Sequence, residues 1–217
     1  YDAKSHASQQ QKPSFQLLST LATSDLVGPN ASVSAWRCAD WSHLATLPSA
    51  LALGHASGRV TVAQLGVNPS QPHFEFVPRL ARACNALDWN PVRTSLLASG
   101  YDKVRNGHGT LIYDVHQAAT AVQEGDLSPD SVVSSAGESF CVFPQTGMRA
   151  FTEPLLQLSN AEAVIALEWS PILGDTLAVG TSYKWLRLYD VRAPAAAPLS
   201  VAAHTKAVKL VAFDPFL

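Results

Sequence analysis

Short apolar and polar alternations that end in an aromatic residue recur along the chain and predict β-strands. The stretches Ala86–Trp89 and Ala166–Trp169 each place a leucine and a tryptophan on one side and an acidic residue on the other. This period of two is typical of strands, because the apolar positions of a helix repeat every three to four residues. Pro91 and Pro171 follow the tryptophans by two residues and end both strands, since proline cannot donate a hydrogen bond to a sheet.

Each of these strands opens a longer pattern that the chain repeats. A polar turn follows the tryptophan, then a second strand of the form Leu-Ala-x-Gly, then a third strand that ends in an aromatic or apolar residue. Full copies lie at 38–65, 84–115 and 164–192, and a further copy begins at 206–215. Candidate fourth strands precede the copies, at 14–21, 74–77, 155–158 and 199–202. We therefore predict a unit of four strands that is repeated along the chain.

The aromatic residues that end the first strands give the length of the repeat. Trp41, Trp89, Trp169 and Phe213 are separated by 48, 80 and 44 residues. Two of these spacings lie near the roughly 40 to 45 residues of one blade of a WD-type β-propeller. The spacing of 80 is too long for one blade, so we predict an insertion between blades at 116–150, a stretch rich in Ser, Ala, Gly and Gln. Polar loops of this length are usually functional or disordered.

The predicted fold class is all-β, a partial β-propeller with about four blades of a larger ring. Residues 1–217 form a segment of this one domain, and residues 1–13 have the composition of a linker. A blade buries its two faces only against neighbouring blades. Trp41, Trp89 and Trp169 occupy one register of the repeat, so we interpret them as core residues between blades.

Composition limits the classes of function. The 217 residues are 47% hydrophobic and 15% charged, with a formal net charge of -2, so the basic excess of a nucleic-acid binder is absent. The cysteines Cys38, Cys84 and Cys141 are odd in number and far apart in sequence, which fits neither a disulfide framework nor a metal site. Their pattern indicates a reducing compartment. No apolar run is long enough to predict a membrane span.

The sequence contains no catalytic or metal-binding signature that fits its spacing. The run Gly54–Gly58 superficially suggests a nucleophile elbow, but its serine is fourth rather than central, so we interpret it as a hairpin turn. No phosphate-binding loop, paired carboxylates or histidine pair at metal-ligand spacing is found. We therefore predict a protein that is not an enzyme and has no catalytic, cofactor-binding or metal-binding residues.

Three other segments resemble WD repeats. Tyr113-Asp114 and Tyr189-Asp190 close their strands as a variant of the dipeptide after which these repeats are named. The segment from His204 to Val208, which leads into Phe213, is similar to the start of a blade. The resemblance implies structural roles in the blade core for a set of residues. These are Trp41, Trp89, Trp169, Phe213, Tyr113, Asp114, Tyr189, Asp190 and His204.

A more specific resemblance is to the amino-terminal propeller of the Missing-oocyte (Mios) family. It is carried by Gly58–Val60, 75–91, 97–105, 135–138 and 205–208, and covers roughly residues 36–217. In that register Tyr1 falls near the end of the first blade's third strand. The family's helical solenoid and zinc-binding region would lie outside this chain.

This resemblance implies a scaffold subunit of the GATOR complex, called SEA in fungi, which relays amino-acid sufficiency to the TOR kinase. The expected partners are other GATOR or SEA subunits and nutrient-sensor proteins, with no nucleic acid and with membrane association only through the complex. The expected location is the cytosol and the cytoplasmic face of the lysosome or vacuole. The alternatives are a scaffold of a coat or nucleoporin-like assembly and, from another class, a propeller hydrolase.

The candidate contact surface consists of the insertion and one turn. The turn carries Asp102, Lys103, Arg105 and His108 and follows a predicted strand that ends at Gly100. Turn chemistry favours a role for its charged residues in stabilising the turn itself. Because propellers present their loops at the two ends of the ring, these four residues are also candidates for contact with a partner.

Overall fold

Three β-sheets dominate the described part of the chain. The computed structural model describes residues 36–47, 49–64, 74–103, 107–123, 140–142 and 149–215. Its strands are β1 Trp36–Trp41, β2 Ala50–His55, β3 Val60–Gln64, β4 Phe74–Phe76, β5 Cys84–Trp89, β6 Leu96–Tyr101, β7 His108–Asp114, β8 Phe140–Val142, β9 Arg149–Phe151, β10 Leu156–Ser159, β11 Val164–Trp169, β12 Thr176–Thr181, β13 Trp185–Asp190 and β14 Leu199–Ala202. Among these described residues one helix, α1, spans Val115–Gln123.

Each sheet contains one four-stranded antiparallel blade. The orders are β1-β2-β3-β4 in blade 1, β5-β6-β7-β10 in blade 2 and β11-β12-β13-β14 in blade 3. The first strands β1, β5 and β11 lie next to one another, so the blades are arranged side by side around their inner edges. The predicted four-stranded repeat and the all-β, partial propeller fold are confirmed. The fourth strands begin within one residue of the predicted positions, and the candidate at 14–21 lies outside the described residues.

The blades share one strand register. Trp41, Trp89 and Trp169 pair with the second-strand residues Leu51, Leu97 and Leu177, respectively. A register shift occurs at the same place in each first strand, between Trp36 and Cys38, between Cys84 and Ala86, and between Val164 and Ala166. The repeated β-bulge increases the local twist of each first strand in the same way.

Side chains from both faces of blade 2 form two separate cores. Leu97, Tyr101 and Tyr113 are buried in the core shared with blade 1. Ala98 and Ile112 are buried in the core shared with blade 3. Alternate residues of a strand point to opposite faces, so a strand with neighbours on both sides is apolar throughout. This explains why all six residues of β6 are buried.

A carboxylate links each blade to the next. Oδ2 of Asp40 accepts the backbone N–H of Trp89 at 2.7 Å, and Oδ2 of Asp88 accepts that of Trp169 at 2.5 Å. Glu168 repeats the contact with the backbone N–H of Phe213 at 2.9 Å. We call these three hydrogen bonds the inter-blade carboxylate contacts. They place Phe213 in the position that a tryptophan occupies in the preceding blades.

The indole groups reinforce two of these contacts. Nε1 of Trp89 donates to the backbone carbonyl of Asp40, and Nε1 of Trp169 donates to that of Asp88, both at 3.1 Å. Both tryptophans are only 1% exposed. The Trp41 side chain is 52% exposed, and the residues that precede its strand lie outside the described residues. The core position expected for Trp41 therefore stays a prediction.

The two residues of each Tyr-Asp pair have different environments. Tyr113 and Tyr189 are buried, whereas Asp190 is exposed. Oδ1 of Asp190 accepts the backbone N–H of Arg192, and its carboxylate also pairs with the Arg192 guanidinium. Asp190 therefore holds the turn after β13, and the blade-core role expected for it is wrong.

His204 is exposed in the described part of the chain. It lies after β14, and its backbone N–H donates to the carbonyl of Lys184 at 3.3 Å. The described residues end at 215, so the core role expected for His204 stays a prediction. Exposed apolar side chains in this part of the chain include Leu199, Val201 and Leu210.

The insertion at 116–150 lies within blade 2 and not between blades, which corrects the expected boundary. It connects β7 to β10, the third and fourth strands of that blade. Between these two strands the chain passes to the neighbouring blade, where β8 and β9 extend the sheet of blade 1. Strand β9 pairs in parallel with β4, and β8 pairs antiparallel with β9. The chain of blade 2 therefore adds two strands to the sheet of blade 1 before it returns to its own sheet at β10.

Helix α1 was not expected, because the sequence showed little helical pattern. Oδ1 of Asp114 accepts the backbone N–H groups of His116 and Gln117 at 3.0 and 3.2 Å. An aspartate in this position satisfies N–H groups that lack a partner in the first turn of a helix. Asp114 therefore caps α1, and this replaces the blade-core role expected for it.

The contact made by Asp88 generates a test of pH dependence. Burial raises the pKa of Asp88 to about 7, and the nearby carboxylates of Asp40 and Glu168 add to the effect. In the unfolded chain the pKa of an aspartate is about 3.9, so Asp88 binds its proton more tightly in the folded state than in the unfolded state. The contribution of Asp88 to stability is then fully present below about pH 4 and is lost as the pH rises through about 7.

We expect Asp88→Asn to remove this pH dependence. Asparagine keeps an oxygen that accepts the N–H of Trp169 but does not titrate, so the variant should gain stability relative to the original chain as the pH rises from about 4 to about 8. Asp88→Ala leaves a buried N–H without its partner and should lose about 1–3 kcal/mol near pH 4. This loss should shrink as the pH rises, because the original chain then loses the contribution of Asp88. Thermal unfolding across this range measures both effects, and parallel pH profiles for the original chain and Asp88→Asn would contradict the assignment.

Candidate interaction surface

A cleft of about 320 Å³ lies between blades 1 and 2. Three segments form its walls, namely the connection from β4 to β5, the start of β7, and the chain that enters β10. The lining residues are Pro78, Arg79, Leu80, Arg82, Gly107, His108, Leu111, Thr152, Pro154 and Gln157. The cleft thus brings together the predicted contact turn, through His108, and the chain that returns from the insertion, through Thr152 and Pro154.

Aromatic packing fixes the position of the returning chain. The ring of Phe151 in β9 lies 5.9 Å from that of Phe74 and 6.0 Å from that of Phe76, between ring centroids. Phe76 stacks on Tyr113 of blade 2, with centroids 4.2 Å apart and an interplanar angle of 17°. These contacts connect β9, blade 1 and blade 2 in one core. Packing of Phe151 in this core therefore fixes the position of the residues that follow it in the wall of the cleft.

Arg82 organises the floor of the cleft beside the contact turn. Its guanidinium donates to the backbone carbonyl of His108 at 2.5 Å and to that of Asp102 at 3.5 Å. It also lies over the ring of Tyr101, 5.1 Å from the centroid, in cation–π geometry. Burial lowers the pKa of Arg82 from its usual value, while Tyr101 and Tyr113 oppose this change. Arginine remains charged in such surroundings, so Arg82 supplies a fixed positive charge.

A second arginine closes one side of the cleft. Nε and Nη2 of Arg79 donate to Oε1 of Glu153 at 3.1 and 2.5 Å, which joins the β4–β5 connection to the chain after β9. The Arg79 side chain is 75% exposed. An exposed ion pair of this kind contributes little to stability. Its guanidinium is therefore available to a ligand at little cost in folding free energy.

The four predicted contact residues are placed differently. Asp102 and Lys103 are exposed, and Oδ1 of Asp102 accepts the backbone N–H of Lys103 at 3.0 Å. His108 is half-buried at the start of β7, with its Nδ1 3.4 Å from Oγ of Ser159. Arg105 lies outside the described residues. The structure brings His108 into the cleft and leaves Asp102 and Lys103 on the turn next to it.

Blade 1 holds a buried polar network that the sequence analysis did not identify. Nε2 of His55 lies 2.9 Å from Oγ1 of Thr61, and this hydroxyl donates to Oε1 of Glu75 at 3.1 Å. Arg59 donates to the other oxygen of Glu75 at 3.0 Å. Burial lowers the pKa of His55 to about 4, and the charge of Arg59 acts in the same direction. The network therefore contains a neutral histidine and ties three strands of the blade together.

The same histidine shows that the run Gly54–Gly58 is a hairpin, as predicted. The backbone N–H of His55 donates to the carbonyl of Arg59, and Gly58 donates to that of His55. Gly58 has a φ of 93°, which favours glycine. The one signal for His55 in the sequence is its position at the end of a predicted strand. Its polar role could not be predicted, because Thr61 and Glu75 lie on other strands.

The chemistry available at the cleft is non-covalent binding. Two guanidinium groups lie beside the apolar side chains of Pro78, Leu80 and Leu111. Such a surface suits a protein segment with an apolar side chain and an acidic group nearby. Among the described residues no group of three or more His, Cys, Asp or Glu side chains could hold a metal ion. No helix of the described residues is long and apolar enough to cross a membrane.

Comparison with protein families gives a match over nearly the whole chain. A family model described as MIOS, WD40 repeat, matches residues 15–217. GATOR2 complex protein MIOS of Dictyostelium discoideum is 30% identical over 212 residues, which cover 89% of this chain and 19% of the relative. The protein of the same name from Danio rerio is 30% identical over 207 residues, covering 91% of this chain and 22% of the relative. The chain thus spans about a fifth of the length of these relatives.

Solved structures support the fold alone. A chain in a crystal structure of the mitotic checkpoint complex superposes with a TM-score of 0.56 at 20% sequence identity. The match covers 86% of this chain and 44% of that chain.

We expect Arg82→Leu to loosen the turn beside the cleft. Leucine keeps much of the apolar stem but leaves the carbonyls of Asp102 and His108 without their donor, which should cost about 1–3 kcal/mol. Amide hydrogen exchange at Asp102 and Lys103 should become faster. Arg79→Leu is the control, because loss of an exposed ion pair should cost less than about 1 kcal/mol. Equal exchange rates in the original chain and Arg82→Leu would show that Arg82 does not hold the turn.

Proposed function

The chain belongs to the MIOS WD40-repeat family, and from this premise we propose that it is a non-catalytic interaction platform in a GATOR2-type assembly. The observation that carries the proposal is the match of the family model to residues 15–217, together with relatives named as GATOR2 complex proteins. We propose further that the assembly relays amino-acid sufficiency to the TOR kinase. Its proposed place is the cytosol and the cytoplasmic face of the lysosome or vacuole.

The geometry supports binding through shape and a few anchoring side chains. The blades are held rigid by the inter-blade carboxylate contacts, so the loops at their ends keep fixed positions. We propose that the cleft and the adjoining turn with Lys103 contact another subunit of the assembly. Arg79 and Lys103 present exposed positive charges on this side of the molecule. Exposed charges of this kind steer association and contribute to specificity.

The assembly is tested by affinity capture of the full-length parent protein followed by mass spectrometry. We expect recovery of the other WD-repeat subunits of a GATOR or SEA complex. Recovery of vesicle-coat or nuclear-pore proteins in their place would overturn the proposed assembly and favour the alternative scaffold.

The contact surface is tested by charge reversal within the same capture experiment. Lys103→Glu should lower the recovery of the contacting subunit by about tenfold, since a like charge opposite a complementary surface costs over about 1 kcal/mol. Lys209→Glu is the matched control, because Lys209 is exposed on the segment that follows blade 3 and should leave recovery unchanged. Equal recovery with both variants would remove the turn from the proposed contact surface.

A further inference from the structure

Two cysteines that are distant in the sequence meet at the junction of blades 1 and 2. The Sγ atoms of Cys38 in β1 and Cys84 in β5 are 3.8 Å apart, and both residues are free thiols. Cys84 is fully buried, whereas Cys38 is half-buried. The pair therefore consists of one thiol that a small reagent can reach and one that only its neighbour can reach.

A glycine provides the space for both sulfur atoms. A Cβ atom placed on Gly54 would lie 2.5 Å from Sγ of Cys38 and 2.8 Å from Sγ of Cys84. Gly54 is paired with Cys38 in the register of β1 and β2. Any larger residue at position 54 would push the sulfur atoms away, so Gly54 leaves the room that the two thiols occupy.

The other two junctions contain apolar residues in the equivalent places. Gly100 pairs with Ala86, and a Cβ atom on it would clash with the side chain of Val164. Gly180 pairs with Ala166 and would meet Val208 at 2.8 Å. The repeat thus uses alanine and valine where the junction of blades 1 and 2 uses two cysteines. Thiols are not needed to fill this space, so packing alone does not explain the presence of two cysteines at this junction.

We propose that Cys38 and Cys84 form a redox-active dithiol, which a peroxide converts to a disulfide that links the first strand of blade 1 to the first strand of blade 2. The hydrogen bond from the Cys84 thiol lowers the pKa of Cys38 from its usual value. The same interaction and burial raise the pKa of Cys84. Cys38 is therefore the thiolate that meets the oxidant, and Cys84 resolves the product.

The reaction proceeds in two balanced steps. The Cys38 thiolate attacks one oxygen of hydrogen peroxide, the O–O bond breaks, and Cys38 becomes a sulfenic acid while the leaving hydroxide takes a proton to form water. The Cys84 sulfur then attacks the sulfur of Cys38, the S–O bond breaks, and the departing hydroxide takes the Cys84 proton as a second water. Two thiols and one peroxide give one disulfide and two waters.

The structural change required is small. The sulfur atoms must approach from 3.8 Å to about 2.05 Å, which is the size of movement that rotation about Cα–Cβ bonds produces. The resulting bond would join residues 46 positions apart in the sequence. Closing a loop of this length restricts the unfolded chain and stabilises the folded one. Oxidation should therefore make the junction of blades 1 and 2 harder to open.

The proposal is tested by treating the full chain with hydrogen peroxide under native conditions. Free thiols are then alkylated, and the digested peptides are mapped by mass spectrometry. We expect a Cys38–Cys84 cross-linked peptide that a thiol reductant removes. The melting temperature should rise by about 5 °C or more on oxidation and return on reduction.

The repeat supplies matched control variants. Cys38→Ala with Cys84→Val installs the residues of the other junctions, so this variant should fold, melt near the reduced protein and show no thermal response to peroxide. Adding Ala86→Cys and Val164→Cys to it transfers the pair to the next junction and should restore the response with a cross-link at the new site.

Three outcomes would overturn the proposal. Peroxide could oxidise Cys38 to the sulfinic acid without forming the cross-link, which would show that Cys84 does not resolve it. Cys38 could pair with Cys141 in preference to Cys84. The cross-link could form without any change in melting temperature, which would show that the bond does not restrain the junction.

Discussion

The hydrogen bond between an acidic side chain and the backbone N–H of the next blade's aromatic residue is the constraint on which this structure depends. Asp40, Asp88 and Glu168 make it in turn, each with one oxygen. The bond fixes one strand relative to the next at the inner edge, where the blades come closest. Because a carboxylate is specific in direction and reach, it sets the spacing that the apolar cores then fill.

Each of these contacts has a cost in free energy, because it buries an acidic side chain at a junction between blades. Burial raises the pKa of Asp40, Asp88 and Glu168, because each acid loses contact with water as its blade packs. Asp88 has a blade on either side and a like charge on both neighbours, and its pKa is raised furthest, to about 7. Hydrogen bonding by the N–H groups and burial of the tryptophans offset the cost. Each contact therefore depends on the backbone N–H that the aromatic residue of the next blade donates.

Local patterns were sufficient to predict the strands but not their surroundings. Trp89 and Trp169 could be placed because strand alternation and a repeated spacing are both visible in the sequence. The pairing of β9 with β4 could not be predicted, since it joins residues over 70 positions apart through backbone groups that every sequence possesses. Helix α1 depends on a cap by Asp114 that the strand pattern concealed.

The site was predictable to the same limited extent. His108 and the insertion were selected as separate candidates from turn chemistry and length, and only the folded chain shows that His108 and the residues just after the insertion border one cleft. Arg82, Arg79 and the cysteine pair were missed, because each contacts a partner 20 or more positions away in the sequence.

The junction of blades 1 and 2 differs from the others while sharing their geometry. The glycine, the bulge and the carboxylate contact recur in blades 2 and 3, so these features build the repeat. The two thiols, the cleft and the added strands β8 and β9 occur together at the first junction of the described residues. Arg82 on the floor of the cleft is separated from Cys84 by a single residue, whose carbonyl accepts the N–H of Asp102. The short segment 82–84 therefore both holds the contact turn and supplies one of the two thiols at the junction.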